Sequence, residues 1–548
     1  MMLRQLKSKW IVLLVLGCVV MISAADIARR QHNNQKVEWK RNIFADGAGY
    51  YVYLPWFFIY DCNASQLPEN IEKTTGYGFK IIENKVKTKY TMGVALMQTP
   101  VFLLVDSFVK ITGSKADGFS EFYQFVSFFS ALIYSLLGLY LLFRFLRFYC
   151  SFFASFFVVF AILFGSNFFF YLAEFPAQSH VYSFFLVTLL LHSAHQFFKS
   201  PQNKHWVGVA FSAALLVLIR PTNIIMLPII AFIPALKKNP SSFRKHLSVR
   251  RIVIAALIFF AVFIPQFLYW KMISGNYVYY SYENEGFSNL IDPAMGLFLF
   301  SPNNGVFAYT PLWFLLLGSA LHMAFRKHYY SIGAIAIFIG IVYLGASWFD
   351  WRFGCSFGSR TTIEYLPLFA LPFTQLVDDL RKNSFLIRAL IYSFTAICIV
   401  AALLLGHKYE KCFLGQDDWD WKYYGYLMRP WSQQKSWENP HPEPLCDEYI
   451  GNAEINTSEK DSFSKYFKIE AEVEFAPIPS EAEVFIAISS SGSSNDIQHL
   501  ERLQPNRNRQ TTEVMLPPNS GDWQVCKAFV WNKSRSPIAI KNIRLAVK

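Results

Sequence analysis

The sequence predicts a polytopic α-helical membrane protein of about eleven membrane helices with a C-terminal extracytoplasmic β-sandwich. Composition gives the first reason. Of 548 residues, 53% are hydrophobic and 18% aromatic, only 16% are charged, and the mean hydropathy is positive at +0.26. A soluble chain would carry about 25% charge. The second reason is where the charges fall: short basic clusters alternate with long apolar runs, as cytoplasmic loops of a membrane protein do. The third is a change of period beyond residue 450, where apolar residues begin to alternate with charged ones.

Taken in order, Met1–Lys9 is basic and leads into an apolar run near 10–26, which we read as a retained signal anchor. Further membrane helices are expected near 122–147, 151–172, 181–198, 252–274, 306–325, 330–347, 362–378 and 385–406. The stretch 206–236 has basic residues on both sides, so it should enter and return as a hairpin of two short helices with Arg220-Pro-Thr-Asn at its tip. Arg220 there should face a polar cavity, or else bind a lipid headgroup or backbone carbonyls. The run 90–111 is long enough to span, but Arg144 and Arg147 must be cytoplasmic, which keeps 26–121 on the outer side. It is therefore expected to be a surface-lying or re-entrant segment. With these assignments the basic loops fall inside, and the N-terminus is cytoplasmic. The acidic and aromatic loops 26–121, 173–180, 275–305 and 348–361, and everything after 407, fall outside.

Domain organisation follows. Residues 1–410 form the membrane domain, with 26–121 as a large first outer loop; 411–449 is an aromatic and proline-rich connector; 450–548 is the β-domain. Phe467, Ile469, Ala471, Val473 and Phe475 alternate with Lys468, Glu470, Glu472 and Glu474, the pattern of a half-buried strand. Val484–Ile488, Val525–Trp531 and Ile543–Val547 add strands separated by turn-forming residues. The net charge of +13 is accounted for by the basic loops and gives no reason to expect nucleic acid. The cysteines form no CxxC pair, which argues against a thiolate metal site; one disulfide among Cys412, Cys446 and Cys526 is conceivable. Trp419, Trp421, Tyr423 and Tyr424 fit either sugar stacking or an interfacial belt.

Chemistry should sit where polar residues gather outside the membrane. These are Asp46 with Tyr50 and Tyr51, Lys89-Tyr90, Glu174 with His180, Glu283 and Glu285, Asn303-Asn304, and the run Trp348–Tyr365 with Asp350, Arg352, Arg360 and Glu364. A carboxylate can take a proton from a hydroxyl. Lysine and arginine can balance a phosphate, arginine through a bidentate fork. No HExxH, GxSxG, P-loop or GxGxxG occurs in a suitable setting, which removes the usual support for hydrolase and nucleotidase readings.

The early aspartate among tyrosines (Asn42–Pro55), the run Lys89–Pro100, Ser179-His180-Val-Tyr-Ser-Phe-Phe, Arg220-Pro-Thr-Asn, Phe300–Gly305 with Tyr309-Thr-Pro311, and Trp348–Tyr365 together resemble blocks of the GT-C glycosyltransferases. That superfamily includes the protein O-mannosyltransferases and lipid A aminoarabinose transferases, and the resemblance covers roughly residues 1–410. It implies an inverting transferase of the inner membrane that uses a polyprenyl-phosphate sugar as co-substrate and needs no metal. Asp46 would be the base, and Lys89, Arg220 and Arg360 would bind the donor phosphate. Tyr50, Tyr51, Tyr90, Glu174, His180, Asn303, Asp350, Arg352 and Glu364 would be candidates for positioning substrate; His180 is equally readable as a polar residue at a helix start. Many relatives carry two adjacent acids where this chain has Asp46-Gly47, and the paired prolines usual after the basic residue are absent. Two other classes fit the composition: a transporter or flippase for a lipid-linked saccharide, and a membrane-anchored carbohydrate-binding protein. The sugar and the acceptor are not legible.

Overall fold

The computed structural model describes residues 41–237, 246–354, 356–380 and 385–411, and in the C-terminal region Trp421, Tyr424, 433–438, 449–456, 467–476, 482–489, 497–504, 507–516, 525–534 and 538–547. The chain divides into two compact units. The first comprises Met1–Ser301, Gly305–Phe353 and Gly358–Leu403; the second comprises Pro302–Asn304, Gly354–Phe357 and Leu404–Lys548. The expected anchor at 10–26 lies outside the described residues.

The first unit opens with two short helices, α1 (Asp46–Tyr51) and α2 (Tyr53–Phe58), and a small hairpin of β1 (Lys80–Ile82) and β2 (Lys85–Lys87). The helices that follow are α3 (Gly93–Ile111), α4 (Glu121–Leu146), α5 (Phe152–Gly165), α6 (Phe168–Glu174), α7 (Ser179–Lys199), α8 (Asn203–Ile219), α9 (Val249–Ser274), α10 (Leu312–Phe325), α11 (Tyr329–Ser347), α12 (Leu366–Asp379) and α13 (Phe385–Lys411). Each apolar run read as a membrane helix within the described residues is helical. Among the described residues six helices are long and apolar enough to cross a membrane: α4, α7, α9, α11, Phe385–Gly406 of α13, and also α3, from the segment expected to lie at the surface or re-enter. A seventh appears if α5 and α6, bent by 54°, count as one.

Two elements add detail to the sequence-based outline. The return limb of the 206–236 hairpin is not one helix but the short turns Pro221–Met226, Ile229–Phe232 and Pro234–Lys237. Pro221, Pro228 and Pro234 explain the breaks, since each lacks an N–H and crowds the preceding turn. The segment 90–111 holds one continuous helix despite Pro100. It runs antiparallel to the first half of α4: Asp106 accepts from the Tyr123 hydroxyl at 2.6 Å, and the Met97 carbonyl accepts from Tyr134 at 2.9 Å. These contacts stop well short of Arg144. The segment before α1 and α1 itself are tied to the start of α4, where Tyr51 donates to the Gly118 carbonyl and Asn42 to that of Gln124, both at 2.8 Å. A core of Ile43, Tyr51, Val52, Trp56, Val86, Phe102, Tyr123 and Tyr269 fixes α1, α2 and the hairpin to α3 and α4.

The second unit contains two antiparallel four-stranded sheets. Strands β3 (Gln433–Glu438), β10 (Ile540–Val547), β5 (Phe467–Phe475) and β8 (Arg509–Leu516) make one, in that order. Strands β4 (Tyr449–Asn456), β9 (Val525–Asn532), β6 (Val484–Ser489) and β7 (Ile497–Arg502) make the other. The alternation read in β5 has its expected result: Ile469, Ala471, Val473 and Phe475 are buried, while Glu472 joins Arg509 and Arg544 on the opposite face. Strand β3 comes from the stretch read as a connector. Cys526 is buried and unbonded; Cys412 and Cys446 lie outside the described residues.

Candidate active site

The site is built on α1. Ala45 enters it with a positive φ of 47°, and its N–H donates to the Thr75 carbonyl at 2.8 Å, which sets the direction in which Asp46 leaves the chain. Two glycines let other segments approach. A Cβ at Gly49 would fall 2.4 Å from the Gly78 carbonyl oxygen and from the Tyr90 ring, so the missing side chain lets Tyr90 lie across α1 and reach Asp46. A Cβ at Gly47 would meet that of Ala177 at 2.7 Å. A side chain at position 47, an acid included, therefore has no room here.

Asp46 is gripped at both oxygens. The Tyr90 hydroxyl donates to Oδ1, and Arg360 Nη2 lies 2.8 Å from Oδ2. Burial would raise the Asp46 pKa, but Arg360, the Tyr90 hydroxyl and Lys89 outweigh it and hold the carboxyl below its ordinary value. It is ionised at neutral pH. Asp46 is 30% exposed, so solvent or a ligand can reach it. Arg360 also donates from Nη1 to the Gln178 side chain at 3.1 Å. Burial lowers the Arg360 pKa and the Asp46 charge raises it, with the charge prevailing. Tyr50 lies against Tyr90, with ring centroids 4.3 Å apart. Its own pKa is raised, chiefly by burial, against the opposing charges of Arg220 and Arg360 and a hydrogen bond with Ser179.

A second carboxylate closes the other side of this cluster. Glu364, 1% exposed, accepts from Arg220 Nη1 at 3.2 Å and lies 2.9 Å from His180 Nδ1. Arg220 Nη1 and His180 Nδ1 are themselves 3.2 Å apart. Arg360 and Glu364 belong to the same 3-10 segment, Arg360–Tyr365, so one piece of backbone supplies a partner to each half of the cluster. Helix α7 begins at Ser179, directly after Gln178, and brings in His180 in its first turn.

Lys89 takes a third carboxylate. Its Nζ contacts both oxygens of Glu285 at 2.7 and 2.8 Å, while Lys87 Nζ lies 2.6 Å from Glu283. Ser281 donates to the Lys89 carbonyl at 2.7 Å, and Tyr282 packs edge-on to both Tyr90 and Trp348. The loop after α9 thus lies along the strand end that carries Lys89.

Of the residues singled out from sequence, the structure brings together Asp46, Tyr50, Lys89, Tyr90, His180, Arg220, Arg360 and Glu364. Tyr51 is turned away into the core and donates to Gly118. Asp350 pairs with Arg352 at 3.3 Å within one turn. Glu174 ends α6, and Asn303 falls in the turn assigned to the second unit. Gln178, Ser179 and Tyr282 were missed. Glu283 and Glu285 were noted only as loop acids, yet their i, i+2 spacing mirrors that of Lys87 and Lys89, a charge match visible in the sequence. Among the described residues, no group of three or more His, Cys, Asp or Glu side chains could hold a metal ion.

No family model matches the chain, and no curated protein matches it. Among solved structures it is similar to ArnT from Cupriavidus metallidurans bound to undecaprenyl phosphate, with 12% identity and a TM-score of 0.47 over 73% of this chain and 70% of that one. The apo state of ArnT from the same organism gives 13% identity and a TM-score of 0.47, covering 77% and 68%. The arabinosyltransferase EmbB from Mycobacterium smegmatis is similar at 10% identity and a TM-score of 0.32, covering 96% of this chain and 64% of that one.

Proposed function

We propose that this chain is an integral-membrane glycosyltransferase that moves a sugar from a polyprenyl-phosphate donor to a hydroxyl acceptor on the outer face of the inner membrane, with inversion. One observation carries the reading. A partly exposed, ionised aspartate converges with Arg360, Lys89 and Arg220, each from a different segment, on a helical body whose apolar helices are long enough to cross a bilayer. Such a set pairs one proton acceptor with a cationic surround, as displacement of a lipid phosphate from a sugar requires.

In this mechanism the acceptor oxygen attacks the anomeric carbon while the bond from that carbon to the phosphate oxygen breaks. The leaving polyprenyl phosphate keeps the bonding electron pair, and Asp46 takes the acceptor's proton. Lys89, Arg220 and Arg360 stabilise the charge that grows on the phosphate, which is the place of a metal ion in other phosphate chemistry. Glu364 and His180 hold Arg220 in place, and Tyr90 orients Asp46. In the same reading the chain crosses the membrane about eleven times with its basic loops and N-terminus cytoplasmic. Residues 1–410 are the catalytic domain, 411–449 a connector, and 450–548 an extracytoplasmic domain whose two sheets stack as a β-sandwich.

The test is to incubate purified protein with a panel of polyprenyl-phosphate sugars and follow loss of the donor lipid, comparing wild type with Asp46→Asn. Removing a general base should slow turnover by about 10²–10⁴-fold. Unchanged turnover in the variant would remove Asp46 from the mechanism. Lipid movement across a vesicle membrane without turnover of any donor would replace the transferase by a flippase.

A further inference from the structure

A general base must offer electron density to a proton, and in this cluster each oxygen of Asp46 already shares its density with a donor. Tyr90 occupies Oδ1 and Arg360 occupies Oδ2. Both partners favour the charged form of the carboxylate, which makes it a poor proton acceptor. The three cations suited to a phosphate also differ in what holds them. Arg220 is held by Glu364, which is sealed from solvent and braced by His180. Lys89 is held by Glu285, an acid with no part in the proposed proton transfer. Arg360 alone of the three has the base itself as its anionic partner.

The remaining contact of Arg360 shows how it could let go. Nη1 donates to Gln178, which is buried at the head of α7, whereas Nη2 is the nitrogen on Asp46. The guanidinium can keep Gln178 and turn Nη2 toward a new oxygen. A phosphate monoester offers that oxygen with more charge than a carboxylate and equally good fork geometry.

We propose that Arg360 couples the two substrates: the donor phosphate takes the guanidinium from Asp46, and this exchange frees the carboxylate to accept the acceptor's proton. The proposal rests on the donor reading given under the proposed function. It makes binding ordered, donor before acceptor. After transfer, the polyprenyl phosphate departs, Arg360 returns to Asp46, and the restored ion pair expels the captured proton to water. Without donor the ion pair keeps Asp46 a weak base, so a stray hydroxyl that reaches it is poorly activated.

The experiment uses full-length protein in nanodiscs and a polyprenyl phosphate that carries no sugar, so that binding is read without turnover. Asp46→Asn releases Arg360 and should tighten binding by roughly tenfold. Arg360→Gln should weaken binding, and in the Asp46→Asn/Arg360→Gln double variant the tightening should vanish. If the gain from Asp46→Asn persists in full without Arg360, plain repulsion between carboxylate and phosphate explains it and the exchange is overturned. No gain from Asp46→Asn in the wild-type background overturns it as well. Should Arg360→Gln misfold, Arg360→Lys replaces it: a single ammonium cannot keep Gln178 while changing partners, so the gain should shrink there too. Absence of lipid-phosphate binding by wild type and all variants is a different failure, which removes the donor reading itself.

Discussion

Asp46 and Glu364 are both carboxylates paired to an arginine, and they do different things. Asp46 is 30% exposed and is held by Arg360, Tyr90 and the field of Lys89. Glu364 is 1% exposed and is held by Arg220 and His180. The first can meet a substrate, while the second is shut away and can act only through what it holds. Between these two acids, exposure separates the proposed base from the carboxylate that braces the site.

That separation predicts opposite phenotypes. Asp46→Asn should abolish most of the activity and leave the fold intact, because the amide keeps the shape of the side chain and its oxygen can still accept from Tyr90, while Arg360 keeps Gln178. Its sign with pH is also set. A carboxyl held below its ordinary value adds stability above the usual aspartate range, and that stability is lost only as pH falls through the lowered value. Glu364→Gln should instead cost about 3 kcal/mol of stability, since it leaves Arg220 and His180 in a buried setting without their anion. Thermal unfolding in detergent, run beside the turnover assay, reads both. A stable but inactive Glu364→Gln protein would move Glu364 into the chemistry and erase the distinction.

Gly47 offers a sharper cut. The position is the one at which a second, exposed acid would stand beside Asp46, and Ala177 closes it with a 2.7 Å approach to any Cβ. Gly47→Ala should destabilise by about 1–3 kcal/mol through overpacking. Combining it with Ala177→Gly should recover most of that loss, as the thermal midpoint of the pair will show. Recovery would establish that Ala177 is what keeps a side chain from standing beside Asp46.

Much of this was legible in the sequence, and for definite reasons. Long apolar runs between basic clusters have few structures open to them, so the helices from α4 to α13 were readable, as was the strand alternation of β5. Asp46, Lys89, Arg220 and Arg360 were readable as polar residues stranded beside apolar runs. Their pairing was not. Arg360 is far from Asp46 in sequence, and no local pattern says that it meets Asp46 while Glu364, on the same short turn, meets Arg220. Gln178 and Ser179 were missed because neutral polar residues before a helix read as ordinary caps. The return limb after Arg220 was read as one helix because its composition is apolar throughout, and only its prolines, each vetoing a turn, carried the contrary signal.

A third arginine–carboxylate contact differs on the arginine side. In the first C-terminal sheet Glu472, 17% exposed, is joined by Arg509 from β8 and by Arg544 at 3.7 Å from β10, with Arg509 51% exposed. Here water competes for Arg509, salt screens what remains, and the long side chain loses freedom when it pairs. Arg544 also stays to share Glu472 if Arg509 is removed. Arg509→Gln should therefore leave donor turnover unchanged and keep the thermal midpoint within about 2 °C of wild type. The same substitution at Arg360, where the partner is the proposed base, is expected to abolish most donor turnover. A large loss from Arg509→Gln in the turnover assay would mean that the charged face of this sheet touches a substrate, and that exposure alone does not sort the arginine pairs of this protein.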